Sequence, residues 1–176
     1  SLELWTVAEP DDFNDVALLN QAFPGLSLRA MGGGTTGDTV YSRVTSQAST
    51  WGRVFANHNS SVAAVRTTWN GTSRQLRMDF DQPVTAVRID AIGNGGEDYG
   101  RLEIYDSQAT LLARYTTGQL SDGEVETMLL VRPQGDIAYA VARAHDSGEI
   151  HLDQLLFVSA ALATTDTAGA FWFDEL

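Results

Sequence analysis

The chain has no cysteine and no lysine; its 11 basic residues are all arginine. Without cysteine there are no disulfides, no thiol nucleophile and no cysteine-bound zinc. Export remains open, because a domain of 176 residues can build a sufficient core without staples. No run of about 18 apolar residues occurs, which excludes a transmembrane helix. Several motifs are also missing: Gly-x-Ser-x-Gly, His-Glu-x-x-His and the Gly-Lys-Ser/Thr ending of a phosphate loop. The chain opens on Ser1 and not Met, as a processed or trimmed chain would, and no signal-peptide pattern is visible.

Basic charge is scarce as well. Against 23 acidic residues it leaves a formal net charge of −12. Such a field repels nucleic acid and anionic membranes, and favours divalent cations wherever carboxylates converge. An acidic surface also keeps an exported protein soluble.

What is present is period-two alternation. From Gln75 onward, apolar-alternating runs are bounded by Gly, Asp, Asn, Ser or Pro. Leu76, Met78 and Phe80 oppose Gln75, Arg77 and Asp79; Val87, Ile89 and Ala91 oppose Arg88 and Asp90. This is the signature of antiparallel strands. About eleven strands are predicted, too many for one open sheet, so two packed sheets are expected. Asn70-Gly71 predicts a tight hairpin between 63–69 and 72–80. Asp81-Gln82-Pro83 is expected to turn the chain. The glycine-rich stretch 31–38 reads as a flexible loop.

Near the N-terminus, 2–7 reads as a first strand. Pro10, Asp11 and Asp12 offer a helix start, and Phe13, Val16, Leu19 and Phe23 share a helical face, so one short helix is expected over 12–22. The fold class is therefore all-β: a two-sheet antiparallel β-sandwich over 1–160 with one short N-terminal helix. Residues 161–176 read as a linker and an aromatic tail, FWFDEL, that docks on the sandwich or on a neighbouring molecule.

Five segments then carry a resemblance. They are Asp12-Phe13, Phe23-Pro24-Gly25-Leu26, Phe80-Asp81-Gln82-Pro83-Val84, Leu102-Glu103-Ile104-Tyr105-Asp106 and Leu152-Asp153-Gln154-Leu155-Leu156-Phe157. In this order the chain resembles the galactose-binding-like jelly-roll domains, similar to carbohydrate-binding modules, of exported bacterial proteins. The turn after Tyr105-Asp106 departs from the family, with Ser107-Gln108 where glycine is frequent. The resemblance implies a jelly-roll, a structural calcium and glycan binding, in an extracellular, cell-surface or periplasmic setting.

Asp153 interrupts an apolar run, and a buried carboxylate there must be paired, hydrogen-bonded or metal-bound. In calcium-containing jelly rolls such an acid joins oxygens of the first segment. The resemblance thus implies calcium held by Asp153 with Glu9, Asp11 and Asp12, an all-oxygen set that suits this ion. The alternative is a carboxylate bonded only to backbone amides or an arginine. For a glycan, Trp51, Trp69 and Tyr99 are the candidate stacking residues, since aromatic faces cover the apolar faces of sugar rings. The competing role for each is core packing. His145 and His151, six residues apart, are candidates for a zinc or base role, against which His151 is expected to alternate outward on its strand. Glu97-Asp98 is a candidate acid–base pair, against which two surface acids are ordinarily only solvated.

The expected function is a non-catalytic extracellular carbohydrate-binding module stabilised by calcium. A structural or adhesive domain of a cell-envelope protein without a small ligand is the alternative, and a hydrolase on the same scaffold is the third reading.

Overall fold

The computed structural model of the chain describes residues 4–160. The strands are β1 (Thr6–Ala8), β2 (Leu26–Met31), β3 (Thr35–Val44), β4 (Arg53–Asn59), β5 (Ala64–Arg66), β6 (Trp69–Asn70), β7 (Gln75–Gly93), β8 (Gly100–Tyr105), β9 (Leu111–Thr116), β10 (Val125–Val131), β11 (Ile137–Ala144) and β12 (Glu149–Ser159). The expected antiparallel sandwich forms. Every strand pairing is antiparallel.

The long strand β7 joins the two layers. Its first part, 75–80, lies between β2 and β11. Its second part, 84–92, lies between β12 and β10. One layer is thus β2-β7-β11-β8-β9, and the other is β3-β4-β12-β7-β10. The expected turn at Asp81-Gln82-Pro83 is absent. These exposed residues have no strand partner: β7 advances from Asp79 to Val84 while β11 steps only from Tyr139 to Ile137, so they form a wide bulge at which the extended chain passes from one layer to the other. Pro83 is tolerated because it falls where the partners change.

Alternation fills the space between the layers. Leu28, Leu76, Met78, Leu102 and Ile104 from the first sheet meet Val87, Ile89, Met128, Leu152 and Phe55 from the second in one core. Burying such side chains contributes about 1.5–3 kcal/mol each.

Three local expectations are corrected. The helix over 12–22 reduces to one 3-10 turn, Pro10–Asp12, followed by turns that reach Pro24-Gly25. Phe13, Leu19 and Phe23 still pack on the core, so the apolar spacing was real but is met by loop residues. The Asn70-Gly71 hairpin is wider than a two-residue turn. Asn70 N–H donates to the Arg74 carbonyl at 3.1 Å, while β5 and β6 pair with β4 and β12 and leave β7 to β2 and β11. The glycine-rich stretch is a close crossing and not a flexible loop. Gly32 has φ +108, any Cβ there would fall onto the Ser73 carbonyl, and Gly34 N–H donates to that same oxygen at 2.8 Å. Only glycine meets both requirements.

The expected first strand is β1, beginning at Thr6. The linker and the FWFDEL tail, 161–176, lie outside the described residues. Among the described residues, no helix is long and apolar enough to cross a membrane.

Candidate functional site

The break in alternation at Asp153 is a β-bulge. Asp153 pairs with Asp90 and Leu156 with Arg88, so β12 carries one residue more than β7 over this step. Gln154 takes φ +47, a left-handed conformation that costs a non-glycine residue about 1–2 kcal/mol. Its N–H is satisfied by Asp153 Oδ1 at 2.8 Å. The bulge directs the Asp153 carboxylate along the edge of β12 between β4 and β1, where it is fully buried.

Two other acids meet it. Ala8 of β1 pairs with Leu155, which sets Glu9 beside the bulge, and Glu9 then caps the 3-10 turn by accepting from Asp11 N–H at 3.3 Å. Carboxylate oxygens of Glu9, Asp11 and Asp153 all lie within 4.8 Å of one another. Asp12 is not among them. It points outward and is exposed, because the turn sends successive side chains in different directions.

The loop between β3 and β4 closes over the three acids. Asp153 Oδ2 accepts from Ser49 N–H at 2.9 Å, Ser49 Oγ at 3.0 Å and Thr50 N–H at 3.1 Å. Arg53 N–H donates to Asp11 Oδ1 at 3.0 Å. The Thr50 hydroxyl touches all three acids, at 3.1 Å from Glu9, 2.8 Å from Asp11 and 3.0 Å from Asp153. A hydroxyl has one hydrogen, so it satisfies one of these carboxylates at a time. Backbone amides supply further donors to each acid, but the one cation close to the cluster among the described residues is the Arg53 guanidinium, 3.8 Å from Asp11 Oδ1, so negative charge stays in excess. Burial, and next the Asp153 charge, push the Glu9 carboxyl up to about 7. Burial also raises Asp153.

The donor set fits calcium. It is all oxygen, and calcium ligands at 2.3–2.6 Å stand up to about 5 Å apart across the ion. Glu9, Asp11 and Asp153 would hold the ion, with the Thr50 hydroxyl beside them.

Trp51 follows directly on Thr50 and is 94% exposed. Its two preceding residues are held by Asp153, so the most exposed large aromatic among the described residues sits on a fastened loop. The other two aromatic candidates are placed differently. Trp69 is fully buried, and its indole N–H donates to the Phe55 carbonyl at 2.9 Å. It offers no face to a ligand: it pairs into the edge of β12 and fills the core beneath. Tyr99 is half-buried and precedes β8, where its carbonyl accepts from His145 N–H at 2.7 Å.

His151, expected on the surface, is 2% exposed because loop residues cover that side of β12. Its Nδ1 lies 3.0 Å from the Thr67 carbonyl, and Nε2 lies 2.7 Å from Gln47 Oε1 and 3.0 Å from Asn94 Oδ1. Burial lowers its pKa. Glu97 and Asp98 do not form an acid–base pair. Asp98 is buried and braces its loop, accepting from Asn94, Gly96 and Glu149 N–H at 2.8–3.1 Å, while Glu97 points to solvent.

The sequence did not single out a further cluster on the outer face of the first sheet. Tyr105 and Tyr139 stack with centroids 4.7 Å apart and planes 7° apart, and the Arg77 guanidinium lies 3.8 Å over Tyr139. Their signal was the outward phase of three strands that the register places side by side.

No protein-family model matches the chain, and no curated protein matches it. Solved structures do. A mutant of the family 29 carbohydrate-binding module CBM29-2 aligns over 89% of this chain and 94% of its own, at 13% identity and a TM-score of 0.46. The K2 adhesin domain of Lys-gingipain aligns over 88% and 90%, at 14% identity and a TM-score of 0.41. Tailspike protein 4 of bacteriophage CBA120 aligns over 77% of this chain but 19% of its own, at 12% identity and a TM-score of 0.44. At these scores the likeness carries no functional argument, and function has to be read from the site.

Proposed function

We propose that this chain is a non-catalytic carbohydrate-binding module in which Trp51 stacks on a sugar ring and calcium fastens the loop that presents it. The observation that carries this reading is the exposure of Trp51 on a loop held at its root. An indole left 94% exposed has no part in the core. Covering about half of it with a sugar face would contribute about 2 kcal/mol. A fixed platform loses less entropy on binding than a mobile one, and the bonds from Ser49 and Thr50 to Asp153 supply that fixity.

Calcium belongs to the same reading. It would neutralise three converging carboxylates, join β1 to β12 and hold the root of the Trp51 loop. The bracing role of Asp98 supports a module without a catalytic acid at this loop. An extracellular setting agrees with polysaccharide as the ligand.

The test is affinity electrophoresis through gels containing soluble neutral polysaccharides such as xylan, glucomannan or galactan. At least one is expected to retard the wild type and not Trp51→Ala. Equal mobility of the two proteins across the panel would overturn the role of Trp51. Absence of retardation by any glycan would favour the structural or adhesive reading.

A further inference from the structure

The charge of this chain is segregated. The sequence as a whole holds 23 acidic and 11 basic residues. The outer face of the first sheet inverts that ratio. Arg29 on β2, Arg77 on β7, Arg143 on β11, Arg101 on β8 and Arg114 on β9 all stand there, against Asp79 and Glu103. Their sidedness follows from alternation, because the neighbouring Leu28, Met78, Leu102 and Ala142 are buried in the core.

Two carboxylates do not neutralise five guanidiniums. Glu103 takes Arg143 at 3.2 Å and Arg114 at 3.4 Å. Asp79 takes Arg77 at 2.8 Å and Arg29 more loosely at 3.6 Å. Among the described residues, Arg101 has no carboxylate within 4.0 Å; its Nε donates to Thr116 Oγ1 at 3.2 Å. Arg77 is held by the stack on Tyr139 and Tyr105, so its position is fixed before any ligand arrives. Beside β2 the face continues into a polar groove of about 450 Å³, whose lining includes Asn20, Gln21, Arg29, Asp38 and Asp79.

We propose that this face is a second binding surface, distinct from Trp51, for a carboxylate-bearing polysaccharide. Guanidinium forks match carboxylates bidentately. The five strands carry arginines across four inter-strand steps, roughly 19 Å, a span that suits a chain of sugars. The interspersed acids and amides accept and donate to hydroxyl groups, which a uronic acid polymer has on every ring. Duplex DNA exposes no hydroxyl along its phosphate backbone to meet those acids, so the mixed face suits it less. Beyond a Debye length of about 8 Å the rest of the acidic surface is screened, so a ligand on this face feels mainly the arginines.

The experiment is affinity electrophoresis in polygalacturonate, in the same polymer after methyl esterification, and in double-stranded DNA. The proteins are wild type, Arg77→Gln, Arg101→Gln, Trp51→Ala and, as a control away from this face, Arg132→Gln, each with its melting temperature measured. Polygalacturonate is expected to retard the wild type, and the esterified polymer and DNA are not. Arg101→Gln, which removes no ion pair and leaves the fold intact, should weaken retardation about tenfold, the effect of one charge-assisted hydrogen bond. Arg132→Gln and Trp51→Ala should retain it. Equal retardation by acidic and esterified polymer, retardation by DNA, or an unchanged Arg101→Gln would overturn the proposal. Loss of polygalacturonate binding in Trp51→Ala would also overturn it, by reducing the two surfaces to one. If neutral glycans bind through Trp51 while polygalacturonate does not bind, this proposal falls and the Trp51 reading stands.

Discussion

The Thr50 hydroxyl lies 3.0 Å from Asp153 Oδ2, across 103 residues of chain, and within 3.1 Å of Glu9 and Asp11 as well. Three carboxylates converge there against one guanidinium, Arg53, 3.8 Å from Asp11 Oδ1, and that excess of negative charge is the physical root of the calcium reading. It also ties metal binding to the neighbouring Trp51, the residue after Thr50.

Removing Asp153 tests the first part. In wild type, calcium added after chelation should raise the melting temperature. Occupancy at 100 times the dissociation constant adds about 2.7 kcal/mol. In Asp153→Asn the response to calcium should vanish. The buried amides of Ser49 and Thr50 would keep an oxygen acceptor there, so the variant should still fold. Calorimetry with calcium and with chelator reads both outcomes, and an unresponsive wild type confirmed to be metal-free would leave Asp153 as a hydrogen-bonded structural acid.

The pH dependence follows from Glu9. Its carboxyl is raised to about 7 by burial and the Asp153 charge, from an ordinary value of 4.5. The fold therefore binds a proton that the unfolded chain releases between these values. Metal-free protein should lose this contribution as pH rises from about 4.5 through 7, because stability falls wherever the folded state holds more protons. Calcium replaces that proton, so its stabilising effect should be larger at pH 8 than at pH 5.5. Melting curves at these two values, with calcium and with chelator, check the sign; an equal calcium effect at both would contradict it.

The two tryptophans should separate binding from folding. Trp51→Ala should leave the melting temperature almost unchanged and remove glycan binding. Trp69→Ala removes a fully buried indole and its bond to Phe55, and should cost about 3–5 kcal/mol. Denaturant unfolding of both variants checks the contrast, which would fail if Trp51→Ala were the more destabilised.

Gly32→Ala should destabilise by several kcal/mol, since φ +108 and the Ser73 carbonyl both oppose a Cβ. Gly33→Ala, next to it, meets nothing within 4 Å and serves as the control in the same unfolding measurement.

The strands were legible because period two is local: Leu76, Met78 and Phe80 announce their face in any context. The break at Asp153 was legible too, since a carboxylate in an apolar run requires compensation. Which oxygens compensate it was not. Asp11 and Asp12 are equivalent in sequence, and only the 3-10 turn turns one inward and the other outward. Ser49 and Thr50 carried no sign of their role, because the contact spans more than 100 residues. Trp69 beside a turn resembled Trp51 in a loop; burial separates them, and burial is a property of the whole sandwich. Tyr105, Tyr139 and Arg77 lie on three strands that only the register brings together.

The most direct measurement is glycan retardation of wild type in calcium and in chelator, on a neutral polysaccharide that the protein binds. The account predicts retardation in calcium, marked weakening in chelator below the melting temperature, and none for Trp51→Ala in either. Retardation of Trp51→Ala equal to that of wild type, with or without calcium, would contradict the claim that the loop fastened by Asp153 presents the sugar platform.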